Sequence, residues 1–276
     1  MKKKGIVFIL LTLFSLVALL PVYWTAVGAF LDAPTYAAHY ASTARTPVWW
    51  PVPAVLDQFR QLFTPDMLGT VEYIGEYWIS VRMTLVMTVI HIPIAILLGY
   101  LLAKVKFRGR QVLFFLVILT MLAPLQVTLT PTLIVAREIG VFGSVWGVYL
   151  PAFAAPFGIF LMRQYIRTVD DEVLEAARLE TESVVVLLCR IVVPMVKPAV
   201  LTLGLLTACE CWNMVEQPLL MMERAYLEPL ALSLNDMNRM NGEYVFAASA
   251  LYTLPIMILY LLLRKNLLKS LSEIHL

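Results

Sequence analysis

The sequence predicts an all-α membrane protein with about six membrane-spanning helices, and three observations support this prediction. Of the 276 residues, 61% are hydrophobic and 14% are charged, whereas soluble domains are about half apolar and a quarter charged. Six stretches are apolar over about the 20 residues that a helix needs to cross the hydrocarbon core of a bilayer. Lysine and arginine concentrate in every second loop between these stretches, as in multi-pass membrane proteins.

The six predicted spans are placed by apolar length alone. The first follows Lys2, Lys3 and Lys4, and it is too long for the apolar part of a secretory signal, so we expect it to stay uncleaved. Several spans contain proline, which membrane helices tolerate where neighbouring groups bond the freed carbonyls. The spans are predicted at residues 6–30, 81–103, 112–136, 145–161, 191–212 and 244–263, within one domain of residues 1–276.

The positions of lysine and arginine orient these spans. With both termini in the cytoplasm, about fourteen such residues fall in inner loops and five in outer loops, leaving out the borderline Arg82 and Lys197. The outer segment, residues 31–80, carries several tryptophans and tyrosines. We interpret it either as an aromatic belt at the membrane interface or as a surface that meets a partner outside the membrane.

One polar segment, residues 168–183, interrupts the apolar spans on the cytoplasmic side. Apolar residues recur at helical spacing from Ile166 to Ala177, with acidic residues on the opposite face. Thr168 followed by Asp171 is similar to a capping box and predicts a helix that starts just before residue 170. Helices that lie on lipid usually carry a basic polar face, whereas this face is acidic. We therefore expect an amphipathic helix that binds a protein partner.

The same segment resembles the EAA motif of permease subunits of ATP-binding-cassette importers. The motif reads E-A-A-x-x-D-G, nine residues, I-x-L-P, and the spacing from Glu175 to Ile191 and Pro194 is preserved. Glu180 stands at the motif's aspartate and Thr181 at its glycine, so we expect a turn without positive φ after the helix. Further matches to carbohydrate-uptake permeases of the maltose and glycerol-3-phosphate type extend the resemblance over about residues 80–265.

The resemblance implies the type I importer permease fold, with residues 168–183 as a coupling helix seated in a cleft of an ATPase. It implies two copies of an ATP-binding subunit, a second homologous permease and an external solute-binding protein, in a bacterial cytoplasmic (inner) membrane. The chain has no phosphate-binding G-x-x-x-x-G-K-[ST] loop, so ATP and Mg²⁺ would bind the partner ATPase. The implied coupling residues are Asp171, Glu172, Glu175, Ala176, Ala177, Arg178, Glu180, Thr181, Ile191 and Pro194.

Polar residues inside the predicted spans are candidates for the solute pathway, because polar groups in lipid are costly. His91 would line the cavity or bond a carbonyl freed by Pro93, and these alternatives are equally supported. The others would bond a polyhydroxylated solute or hold helices together. The candidates are His91, Gln126, Thr128, Thr130, Glu210 and Asn213.

Other function classes lack the residues they need. We expect no enzyme activity, no cofactor and no metal site, because the three histidines are scattered and no G-x-S-x-G is present. Cys209 and Cys211 are interpreted as packing residues, and a net charge of +2 does not indicate a nucleic-acid partner. The alternatives to an importer permease are an ion- or proton-coupled secondary transporter and a membrane scaffold without transport. The solute stays open among sugars, oligosaccharides, polyols and glycerophosphate-like compounds.

Overall fold

The computed structural model describes residues 2–41, 46–63, 70–222, 228–239 and 244–273, and these residues form helices and no strand. Parts of the predicted outer segment, residues 42–45 and 64–69, lie outside this description. The helices in chain order are α1 (Lys2–Gly28), α2 (Ala33–Tyr36), α3 (Asp57–Leu62), α4 (Thr70–Lys104), α5 (Arg110–Leu122), α6 (Leu125–Glu138), α7 (Trp146–Phe153), α8 (Pro156–Arg167), α9 (Asp171–Glu180), α10 (Val184–Leu187), α11 (Val193–Met195), α12 (Lys197–Trp212), α13 (Glu216–Met221), α14 (Leu230–Arg239) and α15 (Val245–Glu273). Short π-helical stretches follow α2 at Ala37–Ala41 and α10 at Leu188–Val192.

Three helices in the described part of the chain are long and apolar enough to cross a membrane, at Gly5–Gly28, Tyr73–Lys104 and Val245–Lys265. Two bent pairs raise this number to five if each pair is one span. The pair α5 and α6 is bent by 109°, and the pair Val184–Met195 and Lys197–Trp212 is bent by 91°. The large side chains of α1 are exposed from Ile6 to Leu19, as expected of a helix that faces lipid.

Three predicted spans are therefore not continuous helices. The span predicted at 112–136 is divided between α5 and α6, and the one at 145–161 between α7 and α8. The span predicted at 191–212 starts before the bend that precedes α12. The second span is longer than predicted, because α4 starts at Thr70 inside the predicted outer segment.

Two of these breaks have a common cause in proline. Ala123 and Ala155 have extended ψ angles of 127° and 126°, and each directly precedes a proline, Pro124 or Pro156. The proline ring clashes with the backbone of the preceding residue and disfavours its α conformation. Each proline then lies at the start of the next helix, where its missing N–H costs nothing.

The chain forms two compact units, Met1–Tyr77 with Ser233–Pro255, and Trp78–Leu232 with Ile256–Leu276. In the first unit, Gln58 is buried and donates hydrogen bonds from Nε2 to the carbonyls of Gly28, at 2.7 Å, and Leu31, at 3.1 Å. Its Oε1 accepts a bond from the Ala247 amide at 3.4 Å. Gln58 thus joins the end of α1 to the start of α15.

The second unit contains two apolar clusters. The first contains residues of α4, α8, α9 and α12 together with Leu187, Leu188 and Val192, and it includes Leu174 and Leu203. The second contains Met83, Met87 and Cys211, which confirms Cys211 as a packing residue. All three cysteines are free thiols.

Candidate functional site

The acidic segment contains the helix α9, which is shorter than the predicted range 168–183. The predicted capping box is wrong, because the Thr168 hydroxyl donates to the carbonyl of Tyr165, at 2.7 Å, in the last turn of α8. The helix begins at Asp171, after an extended Asp170 that makes no side-chain cap bond. Asp171 and Glu172 in the first turn and Arg178 in the last turn complement the helix dipole.

One side of α9 packs on the apolar cluster of the second unit. Leu174 is 3% exposed and belongs to this cluster, and Ala177 is partly buried against it. Ala176 is exposed, and Leu179 is 91% exposed. Ala176 therefore lies on the free side of α9, whereas Ala177 lies on the side that packs against the cluster.

Lys104, at the end of α4, fixes the start of α9. Its Nζ donates to Asp171 Oδ1 at 2.6 Å and to the carbonyls of Val169 and of Arg167, the latter at 3.4 Å. The Lys104 side chain is only 10% exposed, whereas Asp171 is exposed. The hydrogen bond from Lys104 lowers the pKa of the Asp171 carboxyl below its ordinary value. Nothing in the sequence indicates this contact, because the two residues are 67 positions apart.

A second polar contact fixes the end of α9. Arg178 Nη2 donates to the hydroxyl of Tyr100 at 2.7 Å, and Tyr100, also on α4, is 3% exposed. This hydrogen bond raises the pKa of the Arg178 guanidinium above its ordinary value. Both ends of α9 are therefore bonded to the same helix.

The chain leaves α9 without a glycine turn, as the sequence predicts. Thr181 has φ −148° and ψ 132°, an extended conformation, and its Oγ1 accepts a bond from the Ser183 amide at 3.2 Å. Ile191 lies in the π-helical stretch and packs against the same apolar cluster as Leu174. Pro194 lies in α11 and is exposed, and because it has no N–H it cannot bond the carbonyl four residues earlier.

His91 is buried and bonds the end of a helix. It is 1% exposed, and its Nδ1 bonds the carbonyl of Phe153, the last residue of α7, at 3.0 Å. Because the partner is a carbonyl, Nδ1 is the donor. The carbonyl that His91 satisfies is freed by the break before Pro156, and not by Pro93 as one alternative proposed. Gly158 packs against the ring, since a Cβ there would lie 2.1 Å from Nε2.

The structure brings one other pathway candidate into contact with a distant polar residue. Gln126 Nε2 donates to Glu216 Oε1 at 3.2 Å, and both side chains are exposed. Thr128 bonds the carbonyl of Leu125 at 2.9 Å and Asn213 that of Cys209 at 2.7 Å, so both make bonds within their own segments. Thr130 and Glu210 are exposed. Glu216, the partner of Gln126, is not among the pathway candidates identified from the sequence.

No group of three or more His, Cys, Asp or Glu side chains that could hold a metal ion occurs among the residues described.

The arrangement of α9 is that of a helix with one side fixed to the protein and the other side free to bind. Its free side is acidic, with Val173, Ala176 and Leu179 as apolar positions. Such a helix suits a groove on another protein.

Comparison with known proteins identifies relatives over most of the chain. A family model described as "Binding-protein-dependent transport system inner membrane component" matches residues 95–273. The osmoprotective compounds uptake permease protein GgtD of Synechocystis sp. is 30% identical over 250 residues, 86% of this chain and 82% of that protein. The sn-glycerol-3-phosphate transport system permease protein UgpE of Yersinia pestis is 29% identical over 199 residues, 70% of this chain and 71% of that protein.

A solved structure has the same fold. It is the crystal structure of a bacterial ABC transporter involved in the import of the acidic polysaccharide alginate. The match has a TM-score of 0.79 at 22% sequence identity and covers 96% of each chain.

Proposed function

This chain belongs to the family of binding-protein-dependent transport system inner membrane components, and we propose that it carries a carbohydrate or related polar solute through the membrane. As a member of that family, it is the permease component of an ATP-binding-cassette importer. Its relatives are named for osmoprotective compounds and for sn-glycerol 3-phosphate. sn-Glycerol 3-phosphate is a small polar solute rich in oxygen, which supports the proposed class.

We propose that α9 is the coupling helix, which binds a separate ATPase present in two copies. The observation that carries this proposal is the free face of α9, which exposes acidic residues together with Leu179. An apolar stripe framed by charge is the pattern that an amphipathic helix offers to a groove. The groove of the ATPase would be apolar at its base and basic at its rim, because complementary charge sets orientation and specificity.

The coupling residues implied by the resemblance have three different roles in this proposal. Glu172, Glu175, Ala176 and Glu180 are exposed on α9 and would contact the ATPase. Ala177 and Ile191 pack on the chain's own apolar cluster, and would keep α9 rigid as it moves. Thr181 and Pro194 shape the chain between α9 and α12, and would carry the motion toward that helix.

The solute pathway would use exposed polar residues of α6, α12 and α13 together with a second, homologous permease. Gln126, Thr130, Glu210 and Glu216 are exposed on apolar helices or at their ends, where contact with lipid is costly for polar groups. A pathway between two permeases would supply water or solute hydroxyls to these groups. The binding protein would deliver the solute from outside, and both chain termini would lie in the cytoplasm, as the lysines and arginines predict.

Reconstitution tests this function. The chain is assembled in proteoliposomes with the ATPase and second permease of the same genome, and uptake of maltose, sn-glycerol 3-phosphate and an alginate oligosaccharide is measured with the cognate binding protein. We expect ATP-dependent uptake of at least one of these probes. Uptake driven by a proton gradient, without ATP, would instead show a secondary transporter.

A charge reversal tests the role of α9 within this assay. Glu175→Lys is expected to leave membrane insertion normal and to abolish ATP-driven uptake, because it places a cation opposite the basic rim of the groove. Glu138→Lys, the same change at the exposed end of α6, serves as the matched control and is expected to transport normally. Equal transport by both variants would remove α9 from the coupling role.

A further inference from the structure

We propose that Lys104 and Tyr100 tether α9 to the end of α4, so that a displacement of α9 moves the second span directly. This inference rests on the function proposed above, because it concerns how the stroke of the ATPase reaches the spans. Along the chain, α9 is joined only to α8 and α10, and its contacts with α4 join residues 67 and 78 positions apart. The tethers therefore connect α9 mechanically to α4, a helix to which it is not joined along the chain.

Two tethers restrain α9 more than one could. Asp171 and Arg178 are seven residues apart, which is about 10 Å along a helix. Lys104 and Tyr100 are one turn apart on α4, about 6 Å. One polar contact beside the apolar packing of Leu174 would fix α9 at one end, whereas bonds near both of its ends fix its direction as well as its position.

The Lys104 tether has more contacts than a surface ion pair needs. The ammonium group bonds two backbone carbonyls in addition to the Asp171 carboxylate, and only 10% of the side chain is exposed. The other charges that act on Asp171 are Lys106 and Arg178. Lys104 thus joins the end of α8, the connecting residues and the start of α9 at one point.

The end of α4 is itself packed tightly on α8. A Cβ at Gly99 would lie 2.7 Å from the Cβ of Met162, so the two backbones approach as closely as glycine allows. Arg163, also on α8, donates from Nε to the carbonyl of Leu102 at 3.2 Å, and its guanidinium lies 3.5 Å from the centre of the Phe114 ring. Close-packed interiors transmit displacement with little compression. Motion at α9 would therefore reach α4, α8 and α5 together.

The inference predicts which property of the transporter depends on the tethers. Removal of a tether changes only a side chain of α4, so every exposed side chain of α9 that would contact the ATPase is kept. ATP hydrolysis would then continue while less of its motion reaches the spans. The measured quantity is the number of solute molecules imported per ATP hydrolysed.

The experiment compares variants in the reconstituted complex. Tyr100→Phe removes one hydroxyl, and Lys104→Met removes the ammonium group while keeping most of the side chain. We expect each to lower the import per ATP by about threefold or more, with ATPase association and basal hydrolysis unchanged. Lys104→Arg, which keeps a charged donor, is expected to restore the ratio. Arg108→Met, at the exposed arginine four residues on, is the matched control.

The outcomes separate this inference from the proposed function. If the wild-type complex shows no ATP-driven uptake, the proposed function fails before the tethers are tested. If the wild type transports and the variant with both changes, Tyr100→Phe and Lys104→Met, imports as much per ATP as the wild type, the tether proposal is overturned. If Lys104→Met does not assemble, Tyr100→Phe carries the test alone, because it removes a single oxygen.

Discussion

Leu179 offers the sharpest quantitative prediction about the ATPase-binding face. The side chain is 91% exposed on a helix that we expect to face water, so it contributes little to the stability of the free chain. Burial in a groove of the ATPase would transfer nearly all of this apolar surface out of water. Leu179→Ala removes three carbon atoms, which at about 0.8 kcal/mol each gives roughly 2 kcal/mol of binding free energy. A difference of this size corresponds to about a 30-fold weaker complex.

The assay is a titration of the purified ATPase onto the permease in nanodiscs, with the dissociation constant measured for each variant. Leu262→Ala is the matched control, because it makes the same change at a side chain that is 71% exposed on α15. Leu174→Ala provides the contrast, since this buried residue should cost about 2–5 kcal/mol of folding stability. A dissociation constant for Leu179→Ala within about twofold of the wild type would refute the assignment of Leu179 to the interface.

Two further predictions concern packing and pH. Gly158→Ala should destabilise the chain by about 1–3 kcal/mol, because the new methyl group would lie 2.1 Å from His91 Nε2. Thermal unfolding in detergent measures this loss of stability. An unchanged unfolding midpoint would contradict the close packing of Gly158 on His91. The Lys104–Asp171 bond should be insensitive to pH between about 5.5 and 8. The pKa of the Asp171 carboxyl is lowered in the folded chain. The stabilisation that the charged carboxylate provides is therefore complete above the ordinary pKa of aspartate, and it is lost only as the pH falls through the lowered pKa of the folded state. Import per ATP is measured for the wild type and for Asp171→Asn, and the quotient of the two values should stay constant over that pH range. A quotient that changes with pH would show that another group governs the contact.

The helical periodicity of the acidic segment predicted α9, but the exact start of this helix depended on a competing hydrogen bond. Thr168 is spaced correctly for a capping box, yet its hydroxyl bonds the end of α8 instead. Local sequence cannot decide between two backbone partners on either side of the same residue. The tethers from α4 were beyond sequence reasoning for a different reason, because they depend on which helices pack together.

The broken spans show what proline does and does not predict. The rule for residues before proline accounts for the breaks at Ala123 and Ala155. Pro93, Pro131 and Pro255 nevertheless lie inside continuous helices. The presence of a proline therefore did not by itself predict which spans are interrupted, and the sequence analysis expected all of them to be continuous.

These breaks also change how a polar residue in an apolar helix should be interpreted. Each helix end leaves carbonyls without an intrahelical partner, and in lipid such groups are costly. His91 bonds the last carbonyl of α7, Lys104 that of α8, and Gln58 that of α1. The first of these was a pathway candidate on sequence grounds, and its bond to a freed carbonyl explains its presence without any solute.

A donor that bonds a helix-end carbonyl has a structural role, so the candidates worth testing in transport are those with another kind of partner. Gln126 is such a residue, because it bonds the carboxylate of Glu216 on an exposed surface. A solute hydroxyl can replace either member of this pair, whereas it cannot replace a donor buried against backbone. Among the residues proposed for the pathway, substitution of Gln126 or of its partner Glu216 should therefore change which solute is carried more than it changes the stability of the fold.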